Sequence, residues 1–208
     1  MPSAKEEILA KIQKASVSPD GSLVRSTVEH SSRPQQEIVE QFAEYAAEYR
    51  ANVIRVAAPD LKVAIRDALL ARKSERVLVS ADLPTEMRPE QCDVTDDEGF
   101  YHLRLDQFQA VVTTCAVAVA ETGTVVLDAG AGQGRRAITL IPDHHVCLVR
   151  EDQVVDTVPE AVQSLYEAVR AGRPLTWISG PSATSDIELS RVEGVHGPRI
   201  LDILLIRS

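Results

Sequence analysis

Apolar residues in this chain fall in short unbroken runs, and this limits what it can fold into more than any other feature. Residues 77–79, 110–120, 124–127, 145–149 and 200–206 are nearly continuous in Val, Ile, Leu, Ala and Thr, and a β-branched run covers 53–56. A strand with one solvated face alternates apolar with polar residues. A continuous run implies cover on both faces, as in a parallel sheet. Segments with helical periodicity separate these runs, so the expected class is α/β, a Rossmann-like open sheet covered by helices. The runs between 110 and 155 follow one another too closely for crossover helices, which predicts an antiparallel or hairpin insertion there. Further strands are expected at 137–141 and 175–179.

The helices carry their own start signals. Ser3-Ala4-Lys5-Glu6 is a capping box ahead of Ile8, Leu9 and Ile12, and Thr157-Val158-Pro159-Glu160 opens a second helix that runs to Ala171, with Gly172 after its end. Ile38, Phe42, Tyr45 and Tyr49 recur at spacings of three and four over 35–50, and Pro59-Asp60 begins a helix bearing Leu61, Ala64, Ile65, Ala68 and Leu69 on one side. The stretch 16–33 is rich in Ser, Pro, Asp and Gly and reads as a linker. The expected organisation is an N-terminal helix and linker over 1–33, then one α/β domain over 34–208.

Charge and cysteine usage remove several functional classes. With 22 Lys+Arg against 31 Asp+Glu the formal net charge is −9, with no basic cluster, so nucleic acid is not an expected partner. Cys92, Cys115 and Cys147 are far apart and form no CxxC pair, which fits neither a disulfide framework, a zinc site nor an iron–sulfur ligand run. Residues 1–15 lack the apolar core of a signal peptide. No apolar run approaches the roughly 20 residues of a membrane span, so a cytoplasmic protein is expected.

Four segments carry possible chemistry. Glu121-Thr122-Gly123-Thr124 lies between two apolar strands, where a glycine turn with hydroxyls and backbone N–H groups can hold an anion and Glu121 is a candidate nucleophile or general base; a plain turn with an exposed Glu is the alternative. Asp128-Ala129-Gly130-Ala131-Gly132-Gln133-Gly134-Arg135-Arg136 has three glycines in five residues but not the G-x-G-x-x-G spacing or a following helix. It reads as a flexible loop from which Arg135 or Arg136 can grip a carboxylate or phosphate. Beyond Trp177-Ile178-Ser179, a turn from Gly180 through Ser182 to Ser185 leads into the box Ser185-Asp186-Ile187-Glu188. Such a turn gathers N–H groups and hydroxyls around an anion, while Asp186 and Glu188 either serve as acid or base or simply satisfy the helix end. Finally His196, between Gly194 and Gly197, is placed for acid–base work. His144 and His145 are adjacent on a strand, so at most one of them faces any given site. Spacing supports no metal site.

Taken in order, Glu121-Thr122-Gly123-Thr124, Pro142-Asp143-His144-His145, Gly180-Pro181-Ser182 with Ser185-Asp186-Ile187-Glu188, and Gly194-Val195-His196-Gly197-Pro198 resemble the LUD-domain family, in its small stand-alone, lactate-utilization type. The resemblance is densest over 118–206. It implies a sheet like that of the ribose-phosphate isomerase, glucosamine-phosphate deaminase and CoA-transferase superfamily. It also implies a subunit role in oxidising L-lactate to pyruvate beside two partner proteins that bear iron–sulfur clusters, with no cofactor in this chain. The ferredoxin-like segment of larger members is not expected here. The resemblance assigns no catalytic residue. On local chemistry the catalytic candidates are Glu121, Asp186, Glu188 and His196, and the candidates for holding a small carboxylate or phosphate are Thr122, Gly123, Thr124, Arg135, Arg136, Gly180, Ser182 and Ser185. The alternatives are a self-sufficient enzyme acting on a sugar phosphate, acyl-CoA or folate, with Glu121 as nucleophile, or a ligand-sensing or scaffold protein.

Overall fold

The computed structural model describes residues 4–15, 28, 30–184, 192–193 and 197–207. Its centre is a six-stranded, wholly parallel sheet. The strands are β1 (Asn52–Ala57), β2 (Arg76–Val79), β3 (Asp93–Asp96), β4 (Ala110–Thr114), β7 (His144–Arg150) and β12 (Ile200–Arg207), in the spatial order β1-β12-β7-β4-β2-β3. A second sheet of four strands joins β5 (Val117–Val119), β6 (Thr124–Leu127), β8 (Val154–Val155) and β9 (Thr176–Ile178) in the order β8-β5-β6-β9. Its β5–β6 and β6–β9 pairs are antiparallel, the inserted hairpin that the closely spaced runs predicted. A short antiparallel pair, β10 (Ala183–Thr184) with β11 (Val192–Glu193), completes the sheets.

The continuous runs follow from cover on both faces. On one side α3 (Leu61–Ala71) sets Leu61, Ile65 and Leu69 against Val146 and Leu148 of β7 and Leu204 and Ile206 of β12. On the other, α2 (Gln35–Glu48) buries Ile38, Val39, Phe42 and Ala46 against Cys147, Val149, Ile203 and Leu205, and at the same time against Ala118 and Val125 of the second sheet. Helix α2 is therefore the wedge between the two sheets. Burying Phe42, which is wholly inaccessible, is worth about 3 kcal/mol. The far face of the second sheet is covered by Ala161 of α5 (Val158–Ser164) and by Leu165, which links it to α6 (Tyr166–Arg170). The short α4 (His102–Leu105) packs Leu105 beside Leu78 and Val111. The N-terminal α1 spans Ala4–Ala15.

Three expectations need correction. The run 110–120 is two strands, because the chain crosses from one sheet to the other at Cys115-Ala116, where Gln153 Nε2 donates to the Cys115 carbonyl (2.9 Å) and Ala116 N–H to Val126 (2.9 Å). Residues 137–141 are no strand. β4 and β7 pair directly, Ala110 beside His144, which leaves no edge, and Arg136–Thr139 forms a 3-10 turn that buries Ile138. The predicted helix from 158 to 171 is divided at Leu165 into α5 and α6. The capping box at Thr157 and Glu160 is present, and Gly172 closes α6 with φ +71°. Among the described residues no helix is long and apolar enough to cross a membrane.

Candidate functional site

The Glu121 turn is built by close approach. Gly123 adopts φ +58°, and a Cβ there would lie 2.4 Å from the Ala46 backbone nitrogen, so only glycine lets this turn lie against α2. Glu121 is exposed, and its Oε1 accepts the N–H of Val158 (2.7 Å) at the start of α5, a carboxylate at a helix N-terminus. Thr122 Oγ1 donates to Thr124 Oγ1 (2.8 Å), and Thr124 Oγ1 is 2.7 Å from Ser179 Oγ. A chain of hydroxyls thus joins this turn to the one after β9. Gly180 in that second turn has φ +85°, and a Cβ would meet the Tyr49 carbonyl oxygen at 2.2 Å. Both turns are therefore moulded onto the C-terminal end of α2.

The glycine-rich segment is held along its length, which corrects the reading of it as a flexible loop. Asp128 N–H donates to Gln133 Oε1 (2.7 Å), Gly130 N–H to Asp128 Oδ1 (2.9 Å), Gly132 N–H to Asp82 Oδ1 (3.1 Å) and Thr114 Oγ1 to the Ala131 carbonyl (2.9 Å), while Arg173 pairs with Asp128 at 2.9 Å. Its two arginines differ. Arg135 is committed: Nε and Nη2 bind both Asp97 oxygens (2.6 and 3.0 Å), and Nη2 also reaches the Phe100 carbonyl (2.6 Å). Burial pushes the Asp97 carboxyl up, but Arg135 and the N–H groups of Gly99 and Phe100 outweigh it and hold it below its usual range. Arg136 is exposed and has no ion-pair partner among the described residues.

Arg136 stands at the wall of a cavity of about 290 Å³ where the two sheets meet. The 3-10 turn adds Thr139, β9 and its turn add Trp177, Ser179, Gly180, Pro181 and Ser182, the approach to β12 adds Gly197 and Pro198, and Leu201 and His145 reach it from the central sheet. Of the candidate residues, the structure brings Arg136, Gly180 and Ser182 to this cavity, and Thr124 touches its rim through Ser179. Glu121, Thr122, Gly123 and Arg135 do not line it. The turn after Gly180 ends at Ser182, since Ala183–Thr184 is strand. Ser185, Asp186, Glu188 and His196 lie outside the described residues. Trp177, Thr139 and His145 were not among the candidates. The single Trp of the chain on a three-residue strand was a readable signal, whereas the side to which His145 points depended on the sheet register.

The two adjacent histidines face opposite ways. His144 lies on the α3 side, with Nδ1 3.0 Å from Ser74 Oγ and Nε2 3.1 Å from Asp202 Oδ2, and Asp202 also accepts from Asn52 Nδ2 (3.2 Å). His145 lies on the α2 side. Its Nε2 is 2.8 Å from Thr113 Oγ1, and its Nδ1 is buried with no partner among the described residues. Burial, reinforced by the neighbouring His144, lowers its pKa to about 3, so the ring is neutral near pH 7. A polar nitrogen left unpaired in this way costs about 1–3 kcal/mol. The arrangement offers one cation, several hydroxyls and a neutral imidazole around a small, half-apolar space.

Comparison with other proteins places this geometry. A profile of the LUD domain matches residues 4–206. The chain is 52% identical over 171 residues, 82% of its length and 80% of the relative's, to lactate utilization protein C of Deinococcus radiodurans, and 28% identical over 183 residues, 82% and 78% of the two lengths, to lactate utilization protein C of Halalkalibacterium halodurans. The crystal structure of a DUF162 family protein from Deinococcus radiodurans superposes with a TM-score of 0.74 at 44% identity, covering 84% of this chain and 99% of that one. With sequence match and fold in agreement over nearly the whole length, the chain belongs to the LUD-domain family.

Proposed function

We propose that this protein is a component of an L-lactate utilization system and that its cavity holds the small carboxylate, while iron–sulfur partner proteins accept the two electrons released as lactate becomes pyruvate. Relatives named lactate utilization protein C supply the system. The observation that carries the binding role is Arg136, a guanidinium without an acidic partner among the described residues, which lines the cavity together with Thr139 and Ser179. A guanidinium reads a carboxylate through two parallel hydrogen bonds. About 290 Å³ lies just under the roughly 300–1,000 Å³ usual for small-molecule sites and leaves room for a three-carbon acid. Transfer of CoA through Glu121 is less favoured, since that carboxylate is bound to the Val158 N–H and stands outside the cavity lining.

Lactate-dependent dye reduction by the iron–sulfur partners, with and without this chain, tests the assignment. Activity is expected only in the full mixture and is expected to fall at least tenfold with Arg136→Ala. Equal activity without the chain would overturn it.

A further inference from the structure

A second cavity, of about 310 Å³, opens at the leading ends of β2, β7 and β12, and Arg136 is not on its walls. Three exposed cations line it: Arg72, Lys73 and Arg76. Lys73 and Arg76 have no ion-pair partner among the described residues. Arg72 stands 3.9 Å from its one acid, Asp202, which already serves His144 and Asn52. On the acidic side Asp143 is 3.7 Å from Arg199, and Glu75 does not line the cavity, so Asp106 is the one unpaired carboxylate on the described walls. Three cations therefore face one free carboxylate, in a chain whose net charge is −9. The negative end of the α3 dipole accounts for basic residues at 72 and 73, but its reach ends within the last turn and does not extend to Arg76, which opens β2.

The backbone beneath these side chains is fixed. Lys73 and Ser74 N–H groups donate to the Leu70 and Leu69 carbonyls (3.0 and 2.9 Å), and Gln109 Oε1 accepts the N–H groups of Glu75 (2.8 Å) and Arg76 (2.9 Å). Two donors on one oxygen set the orientation of the Gln109 amide. Its NH₂ group is thereby a placed donor on the cavity wall, and it donates to none of the described residues. Like charges held together on a rigid loop repel one another, most strongly at low salt. A doubly charged oxyanion offsets that repulsion and brings several acceptor atoms to the guanidinium, ammonium and amide donors. We infer that this cavity is an anion site for a phosphate dianion, free or at the end of a small monoester, bound by Lys73, Arg76 and the Gln109 amide with Arg72 adding charge. The inference is independent of the carboxylate reading at Arg136.

The test is calorimetric titration of the full chain with inorganic phosphate and with glycerol 3-phosphate at constant ionic strength. The wild type, the double variant Lys73→Gln with Arg76→Gln, and Arg136→Ala are compared, with a melting curve for each. Saturable binding at one site per chain is expected in the wild type at low millimolar phosphate, together with a rise in melting temperature. The double variant is expected to bind at least tenfold more weakly, and without phosphate at low salt to melt no lower than the wild type, because it loses repulsion and no ion pair. Tighter binding of the ester would assign the site to a phosphorylated metabolite, and equal or weaker binding to free phosphate. Should the double variant not fold, the side-chain amide signals of wild-type Gln109 decide the matter: they are expected to shift with phosphate and not with sodium chloride. No saturable binding, unaltered binding in the folded double variant, or binding lost in Arg136→Ala instead would overturn the inference.

Discussion

His144 and His145 are neighbours on one strand, yet they belong to regions governed by different requirements. On the α3 side every polar atom of His144 is answered: Ser74 meets one nitrogen and Asp202 the other, and Asp202 is itself tied to Asn52 with Arg72 at 3.9 Å. That network pins the leading edges of β1, β7 and β12 to the segment before β2. On the α2 side His145 has one partner and one empty nitrogen, and the nearest cation in its cavity, Arg136, has no carboxylate among the described residues. Satisfied polar groups in a closed region lock a fold. An unsatisfied one in the interior costs stability instead.

Removing a partner from the closed network is expected to have the largest effect. Asp202→Ala strands His144, Asn52 and Arg72 together and is expected to cost about 3–5 kcal/mol by urea unfolding; a loss below about 1 kcal/mol would break the contrast between the two regions. Gly180→Ala comes next, at roughly 2 kcal/mol, because it combines a positive φ with a backbone collision at Tyr49. Gly99→Ala has the same φ, +85°, and open space around it, so about 1 kcal/mol is expected there. Equal losses would mean that the moulding of the turn onto α2 contributes nothing.

The pH response sharpens the comparison further. His145 has a folded pKa of about 3 against an ordinary value of 6.5, so between these limits the unfolded chain binds the extra proton. Its contribution is fully present above pH 6.5 and is lost as pH falls toward 3, at up to about 1.4 kcal/mol per pH unit. His145→Gln is expected to flatten that part of the stability profile, and an unchanged slope would show that the ring is not buried neutral. The two adjacent arginines give the smallest effects. Arg135→Ala leaves Asp97 without its fork and is expected to cost about 1 kcal/mol, while Arg136→Ala stays within about 0.5 kcal/mol of the wild type.

The parallel sheet was legible because burial on both faces leaves continuous apolar runs, and the helices because Thr157 with Glu160 and the stripe from Ile38 to Phe42 are local signals. What local pattern does not carry is partnership. Residues 137–141 are as apolar as a strand but find no free edge, and β3, Asp93–Asp96, pairs although it has a single apolar residue. The site divides in the same way. The Gly123 and Gly180 turns were visible as turns, but their shared contact with α2, and the joining of Thr124 to Ser179, depend on how the two sheets enclose that helix. Neighbouring arginines in the sequence gave no hint that Asp97 takes one and leaves the other. His145 was readable as one of an opposed pair, and only the register of β7 against β4 set it beside Thr113 and the cavity.

Direct titration of the purified chain with L-lactate, beside Arg136→Ala, tests the central claim most plainly. Saturable binding by the wild type at one site per chain, weakened at least tenfold in a variant that melts at the same temperature, is the predicted result. Wild-type and variant chains that bind lactate equally, or not at all, would contradict it.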